Sequence, residues 1–245
     1  MIKATLAALS LLAAGSASAQ AGDWGYKATL YGWFPGISAT VDTLKYGSVD
    51  AELSSSDALQ NLDMAFMGTF AASNGQWSFV GDLLYTNLSA GQPTPFGTLF
   101  SEATVSQKLT AFSGYALYRV SQDTNATFDL GVGFRTFDMD VDVDLSAGDL
   151  PQESFSTGAT WTDPLIAARF SAPINDKWFV EGFADYGGTG SGDETWQLYG
   201  GVGYWISEDW STQVGYRYMD ISKEINGRDL SFDLSGLLIA FSYNF

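Results

Sequence analysis

The sequence predicts an all-β chain: a transmembrane antiparallel up-and-down β-barrel of ten strands, with eight or twelve as alternatives. Three observations predict it. Hydrophobicity alternates with period two along most of the chain. The connections between the alternating stretches are short and long by turns. Tryptophan and tyrosine recur eight residues apart, on one face.

Ten stretches carry the alternation, and each sets an apolar face against a smaller or polar one. Trp24, Tyr26, Ala28 and Leu30 oppose Gly25, Lys27 and Thr29. Leu62 to Phe70 follows, then Trp77 to Thr86, with Asp82 on the polar face. Ala103 to Tyr118 alternates least cleanly and carries Lys108 on its expected inner face. Ala126 to Arg135, Leu165 to Phe170 and Trp178 to Tyr186 come next. Trp196 to Tyr204, Trp210 to Tyr218 and Leu237 to Phe245 complete the set. Residues 37–42 and 49–54 could form a further hairpin or extend the barrel above the membrane.

Short turns are expected at Asn74-Gly75, Gln122-Asp123, Asn175-Asp176 and Glu208-Asp209. Asn-Gly is a strong hairpin signal, because both residues tolerate positive φ. Longer connections fall near 35–61, 89–102, 141–157, 187–194 and 222–229. Short turns on one side and long loops on the other are the plan of an outer-membrane barrel with both termini at the periplasmic side.

Trp77, Trp178 and Trp210 each follow a short turn, and Tyr85, Tyr186 and Tyr218 come eight residues later. An even spacing keeps each pair on one strand face. Eight residues at about 3.3 Å each, tilted by about 40°, rise roughly 20 Å, close to the apolar band of about 25 Å between aromatic girdles. Phe245 joins this interfacial set. The competing fold is a soluble β-sandwich with a Trp-rich core, in which the aromatic face would be buried and the Asp/Arg face exposed.

Composition bounds the function. The 245 residues carry 11 Lys+Arg against 28 Asp+Glu, a net charge of -17, with 46% hydrophobic and 15% aromatic residues. That is too apolar for a disordered acidic tail. It is too acidic for nucleic-acid binding. There is no cysteine and no histidine. Disulfides, thiolate metal sites, thiol nucleophiles and the commonest general base are therefore excluded. No enzyme activity and no cofactor are expected. Glu181 and Asp185 stand about 13 Å apart along one strand face, too far for an acid/base pair without help from another strand.

Residues 1–19 read as a cleaved secretory signal: Lys3, an apolar run from Ala4 to Ala14, and Ala17-Ser18-Ala19 as the cleavage signal. The apolar run is too short to span a bilayer. The competing reading is a buried N-terminal helix. The barrel domain is then 20–245. Without Lys3 it holds 10 basic and 28 acidic residues, or -18.

The chain stops at Phe245, with Tyr243, Phe241, Ile239 and Leu237 on the same face. This resembles the C-terminal signature of bacterial outer-membrane barrels, which implies the barrel assembly machinery as a partner. Five further segments, in order, extend the resemblance. They are Trp33-Phe34-Pro35-Gly36-Ile37-Ser38, Ser56 to Asp63, Trp161-Thr162-Asp163-Pro164, Gly187 to Asp193, and Gly215-Tyr216-Arg217-Tyr218. Together they are similar to a group of small porin-like outer-membrane proteins of Gram-negative bacteria, mostly without assigned function. The resemblance covers nearly the whole mature chain and implies outer-membrane location, with lipids and lipopolysaccharide as surroundings. It brings no activity.

The face opposite the aromatics holds Asp82, Lys108, Asp129, Arg135, Arg169, Glu181, Asp185 and Arg217. At mid-depth on the lipid side an Arg or Lys would cost about 2–4 kcal/mol, so these charges are assigned to the lumen. They either pair to fill a narrow interior or line a selective path. Ser55 to Leu62 reads as a short helix with Ser55 or Ser56 as N-cap, either plugging the mouth or capping the surface. Asp138, Asp140, Asp142 and Asp144 lie on one strand face about 7 Å apart. They are candidates for Ca²⁺ or Mg²⁺, or else a solvated acidic stem. Gly187 to Gly192 lacks the Gly-Lys-Ser/Thr of a phosphate loop. The leading functional expectation is porin-like passage of small solutes through a narrow charged lumen. The alternative is a closed barrel with a structural or surface-interaction role through acidic extracellular loops. Nothing in the sequence marks an oligomer face.

Overall fold

The computed structural model describes residues 24–43, 47–93, 100–123, 126–190, 192–225 and 228–245. The expected signal peptide and the short turn after Asp123 lie outside them. The elements in order are β1 (Gly25–Thr43), β2 (Gly47–Leu53), α1 (Ser55–Gln60), β3 (Leu62–Ser73), β4 (Trp77–Pro93) and β5 (Phe100–Asp123). After these come β6 (Ala126–Ala147), β7 (Glu153–Pro173), β8 (Trp178–Gly190), β9 (Asp193–Trp205), β10 (Trp210–Ile225) and β11 (Arg228–Asn244).

Ten strands form the ring. Each pairs antiparallel with its neighbour, and β1 closes on β11 from Lys27↔Asn244 to Val41↔Leu230. Closure removes the free edges that hydrocarbon does not tolerate. The eleventh strand, β2, pairs only with the upper half of β1, from Ile37↔Leu53 to Thr43↔Gly47. Of the two alternatives for 37–42 and 49–54, a further hairpin or an extension of the barrel, the pairing of β1 with β2 matches the further antiparallel pair.

The turns explain why tryptophan begins three of the strands. Asn74 Oδ1 accepts from the N–H groups of Gln76 and Trp77 at 3.1 and 2.8 Å, with Gly75 at φ 86°. Asn175 Oδ1 does the same for Lys177 and Trp178, both at 3.0 Å. Ser207 Oγ accepts from Trp210 N–H at 3.1 Å. Each side chain closes its own turn, so the tryptophan starts its strand at a fixed height.

The connections expected as long loops are mostly strand. β5, β6 and β7 run for 24, 22 and 21 residues, well beyond a membrane's thickness. Within 187–194, β8 reaches Gly190 and β9 begins at Asp193, and these two residues pair.

Outside, the faces follow the alternation: Phe79, Phe128, Val132, Leu198, Val214 and Phe241 are all exposed. Inside, glycines make room for rings. A Cβ on Gly133 would stand 2.6 Å from Tyr115 Cδ1, and one on Gly203 2.1 Å from Phe179 Cζ. Large and small residues alternate in this way to fill a narrow barrel.

Candidate functional site

The lumen is built in three levels. At the end of the short turns Asp129 is held between Arg119 Nε at 2.9 Å and Arg169 Nη2 at 2.6 Å. Arg169 Nη2 also reaches across to Ser78 Oγ on β4, at 2.9 Å. Glu181 accepts from Gln213 Nε2 at 3.0 Å and lies 3.9 Å from Lys27 Nζ.

The middle level is a continuous polar belt. Tyr31 O–H donates to Asp82 Oδ1 at 2.7 Å and accepts from Arg217 Nη1 at 3.0 Å. Arg217 Nη2 meets Asp82 Oδ2 at 3.2 Å, and its Nε donates to Gln197 Oε1 at 2.9 Å. Gln197 Nε2 donates to Asp185 Oδ2 at 2.5 Å. The same oxygen takes Arg135 Nη2 at 2.6 Å and Tyr115 O–H at 2.7 Å. The Arg135–Asp185 pair is fully buried. These bonds join β1, β4, β5, β6, β8, β9 and β10, so they span the lumen and do not run along one wall.

The outer level is apolar, which the charged-lumen expectation did not foresee. Trp33, Met67, Leu84, Phe137, Ile221 and Leu234 form a buried cluster inside the barrel. All of these but Phe137 line a cavity of about 230 Å³. Helix α1 packs on β1 and borders the cavity: Ala58 is buried, and Ala58 and Leu59 both line it. The helix is shorter than expected and its N-cap is Ser54, one residue before the expected pair. Ser54 Oγ accepts from Asp57 N–H at 3.2 Å. Below the belt lies a second cavity of about 160 Å³, and Tyr31 lines both.

Seven of the eight expected lumen charges face inward: Asp82, Asp129, Arg135, Arg169, Glu181, Asp185 and Arg217. Lys108 does not. Its neighbours Gln107 and Leu109 line the cavity, so Lys108 faces outward, exposed, between Asn87 and Asp140. The register through Trp77↔Tyr118 sets this face, and it was hidden by the weak alternation of β5. Sequence reasoning missed Tyr31, Tyr115, Gln197 and Arg119. The first three are uncharged, and the only signal for Arg119 was its place two residues beyond an inward Leu117.

The interfacial aromatics lie on the outer face. Trp77, Trp178 and Trp210 pack against Tyr118, Tyr204 and Tyr243 of neighbouring strands, with centroids 4.9, 4.9 and 4.8 Å apart. At the upper row Tyr218 packs on Trp196 at 4.7 Å, and Tyr85 and Tyr186 face outward with it. Phe245 exchanges two backbone hydrogen bonds with Tyr26 and stacks on its ring.

Asp138, Asp140, Asp142 and Asp144 share the outer face of β6 beyond the membrane, but they do not converge. Thr160, Ser156 and Ser154 donate to Asp138, Asp142 and Asp144, each at 2.6 Å. Among the described residues no three carboxylates are placed to hold a metal ion. Strand geometry keeps them a pleat apart.

Above the upper aromatic row two titrations are displaced. Lys223 Nζ, donating to Asp193 at 2.7 Å, holds that carboxyl below its usual range. Burial, then the facing carboxylate of Asp233, pushes Asp220 up to about 6.

No family model matches the sequence, and no curated protein matches it. Among solved structures the fold is similar to that of the outer membrane protease OmpT from Escherichia coli. The TM-score is 0.62 at 12% identity, over 91% of this chain and 97% of that one. It is also similar to the translocator domain of the autotransporter NalP from Neisseria meningitidis, with TM-score 0.52 at 12% identity, over 91% of this chain and 88% of that one. At such identities the likeness is one of architecture: the chain has the fold of the outer-membrane β-barrel proteins.

Proposed function

We propose that the protein is a barrel of the Gram-negative outer membrane, exported with a cleaved signal and sealed at mid-height in its resting state. Its work would then lie at the outer surface and outer leaflet and not in free diffusion of ions. The observation that carries this reading is the belt from Tyr31 and Asp82 through Arg217, Gln197 and Asp185 to Arg135 and Tyr115. Barrels of eight strands are filled by their side chains, and wide channels need about 16–18. Ten strands with a cross-linked lumen fall at the filled end. The long β5–β7 arm, with its row of outward aspartates, supports a surface-interaction role beside lipopolysaccharide and divalent cations. The C-terminal strand is the segment the assembly machinery would read.

The reading is non-catalytic. The chain has no histidine or cysteine, and Asp82, Asp129 and Asp185 are each engaged by an arginine.

A gated, porin-like passage is the second reading, and one feature favours it. Apolar residues would fill the middle of the lumen at least as stably as ion pairs do, and the outer level is filled in that way. Ion pairs, unlike packed methyl groups, can exchange their partners for water. Release of Tyr31 from Asp82 and Arg217 would join the two cavities it lines.

Single-channel recording of the refolded mature chain in planar bilayers tests both. The sealed barrel gives no steady steps in the wild type. Steady ohmic steps from wild type, with ion selectivity altered in Arg169→Ala and Arg217→Ala, would reject the seal and establish a pore.

A further inference from the structure

The wall of the barrel is interrupted beside the apolar cavity. β1 and β3 pair only from Gly25↔Ser73 to Leu30↔Gly68. β1 next meets a partner on that side at Ile37, where β2 begins to pair. Between these points Gly32–Gly36 of β1 faces Leu62–Met67 of β3 without a ladder. Across the interval Trp33 N–H donates to Met67 Sδ at 3.4 Å. Pro35, which has no N–H to leave unsatisfied, sits inside it.

The interval lies at the level of the upper aromatic row. Tyr85 is in register with Phe66 on one side, and Tyr218 with Ser235, and through it Gly36, on the other. The outer surface around it is apolar: Leu30, Phe34, Met64 and Phe66 are all exposed. Backbone without a partner strand is tolerated at membrane depth only where it is buried or lines a cavity, and here it lines one. Gly32, Phe34 and Pro35 all belong to the cavity wall. The Phe34 ring folds over Gly32, where an added Cβ would meet Phe34 Cζ at 3.0 Å.

The cavity has the character of a small-molecule site. Its 230 Å³ compares with about 150 Å³ for an apolar cavity that stays dry and takes up benzene. Trp33 is 3% exposed, and its Nε1–H has no hydrogen-bond partner. A buried donor left unmade is costly, and an aromatic face or a single weak acceptor on a guest would offset that cost.

We propose that the cavity binds one small apolar molecule, a single-ring aromatic hydrocarbon or a compact alkyl group of similar volume. The interval between β1 and β3, covered by Phe34, opens it sideways to the outer leaflet. Tyr31 of the polar belt bounds the cavity below and α1 borders it where it packs on β1, and the interval is the apolar way out. The inference does not rest on the seal. A barrel that conducts ions and still binds would refute the sealed reading alone.

The test uses the mature chain, labelled with ¹⁵N at tryptophan, in phosphatidylcholine nanodiscs, titrated with toluene. The Trp33 indole signal, assigned by Trp33→Phe, shifts and saturates. Signals of the lipid-facing Trp77, Trp178 and Trp210 drift linearly with dissolved toluene. Ala65→Trp, which fills the cavity from its rim, weakens the saturable response by at least about tenfold. Leu59→Trp on α1, where Leu59 lines the cavity and is exposed, does the same and serves if the first variant does not fold. Phe34→Ala speeds exchange of bound toluene several-fold. A Trp33 signal that drifts like the others overturns the site. An unchanged exchange rate in Phe34→Ala overturns the sideways opening. Nanodiscs with chain-spin-labelled lipid separate the sources of the apolar group. Strong broadening of Trp33 before toluene is added, relieved by toluene, would mean that a lipid chain holds the cavity and would overturn the small-molecule assignment.

Discussion

Arg217 and Asp82 meet across the lumen, Nη2 to Oδ2 at 3.2 Å. Their strands, β10 and β4, stand four places apart in the ring, with β11, β1 and β3 between them. Tyr31 bonds to both, and the Arg217 guanidinium lies 4.9 Å from the centroid of the Trp33 ring. The pair therefore ties distant walls and lines the lower cavity, while Tyr31, bonded to both, also lines the apolar one.

Removing one partner of such a pair is worse than removing both. Arg217→Ala leaves a buried carboxylate without its cation, an expected loss of about 3–5 kcal/mol. Arg217→Met combined with Asp82→Leu leaves no orphaned charge and returns most of that stability. Urea unfolding in lipid vesicles, followed by tryptophan fluorescence, measures both. A single variant as stable as wild type would mean that water already reaches the pair.

The outer face makes a prediction about depth. Val214 is 51% exposed and lies midway between Trp210 and Tyr218 on β10. Val214→Arg is expected to cost about 2–4 kcal/mol in a bilayer, as for a cation near the midplane. Glu208→Arg, in the turn just below, is expected to stay within about 0.5 kcal/mol. Equal effects at the two sites would show that Val214 does not face hydrocarbon.

The ring was legible in the sequence because membrane burial makes every strand alternate. Ten strands, the outward Trp–Tyr rows and the inward placement of seven of the eight expected charges follow from that single constraint, and the turns at Asn74-Gly75, Asn175-Asp176 and Glu208-Asp209 stand where they were expected. What was not legible depends on contacts between distant strands. Lys108 was misassigned because Thr110, Phe112 and Gly114 on its face and Leu109, Ala111 and Ser113 on the other differ little in polarity. The belt needed Tyr31, Tyr115 and Gln197, whose roles arise only when β1, β5 and β9 come around the ring. The apolar outer level was not foreseen: Trp33, Phe137 and Ile221 lie beyond the alternating stretches, and with Leu84 they occupy the face that lower down carries charge. Pro35 inside a strand was a local sign of the interrupted wall, because proline is confined to strand edges.

Helix α1 is held by its cap. α1 has only six residues, too few to form alone. Ser54 Oγ accepts from Asp57 N–H, and the Asp57 carboxylate accepts from Ser54 O–H. Ser54→Ala removes both bonds, for an expected local loss of about 1 kcal/mol. Hydrogen exchange at Ala58 and Leu59 should quicken about fivefold, while exchange in β4 and β10 stays unchanged. Protection of α1 that survives the substitution would place its stability in packing on the cavity instead.

The last prediction concerns pH at the rim. Asp220 stands one pleat beyond Tyr218, in register with Asp233, which accepts from the Tyr218 hydroxyl. Glu194 adds further negative charge. Burial and these neighbours raise the Asp220 carboxyl to about 6, against about 3.9 in an unfolded chain. Between these values the folded barrel binds more protons than the unfolded chain. The Asp220 contribution is therefore most favourable below about pH 4, falls as pH rises to about 6, and is level above. Asp220→Asn removes that slope and stabilises the barrel at pH 7 relative to wild type. Urea midpoints of both proteins at pH 4 and pH 7 give the comparison, since the remaining carboxylates titrate in both. An identical pH dependence in the two would mean that burial and the neighbouring carboxylates do not raise Asp220 at this rim.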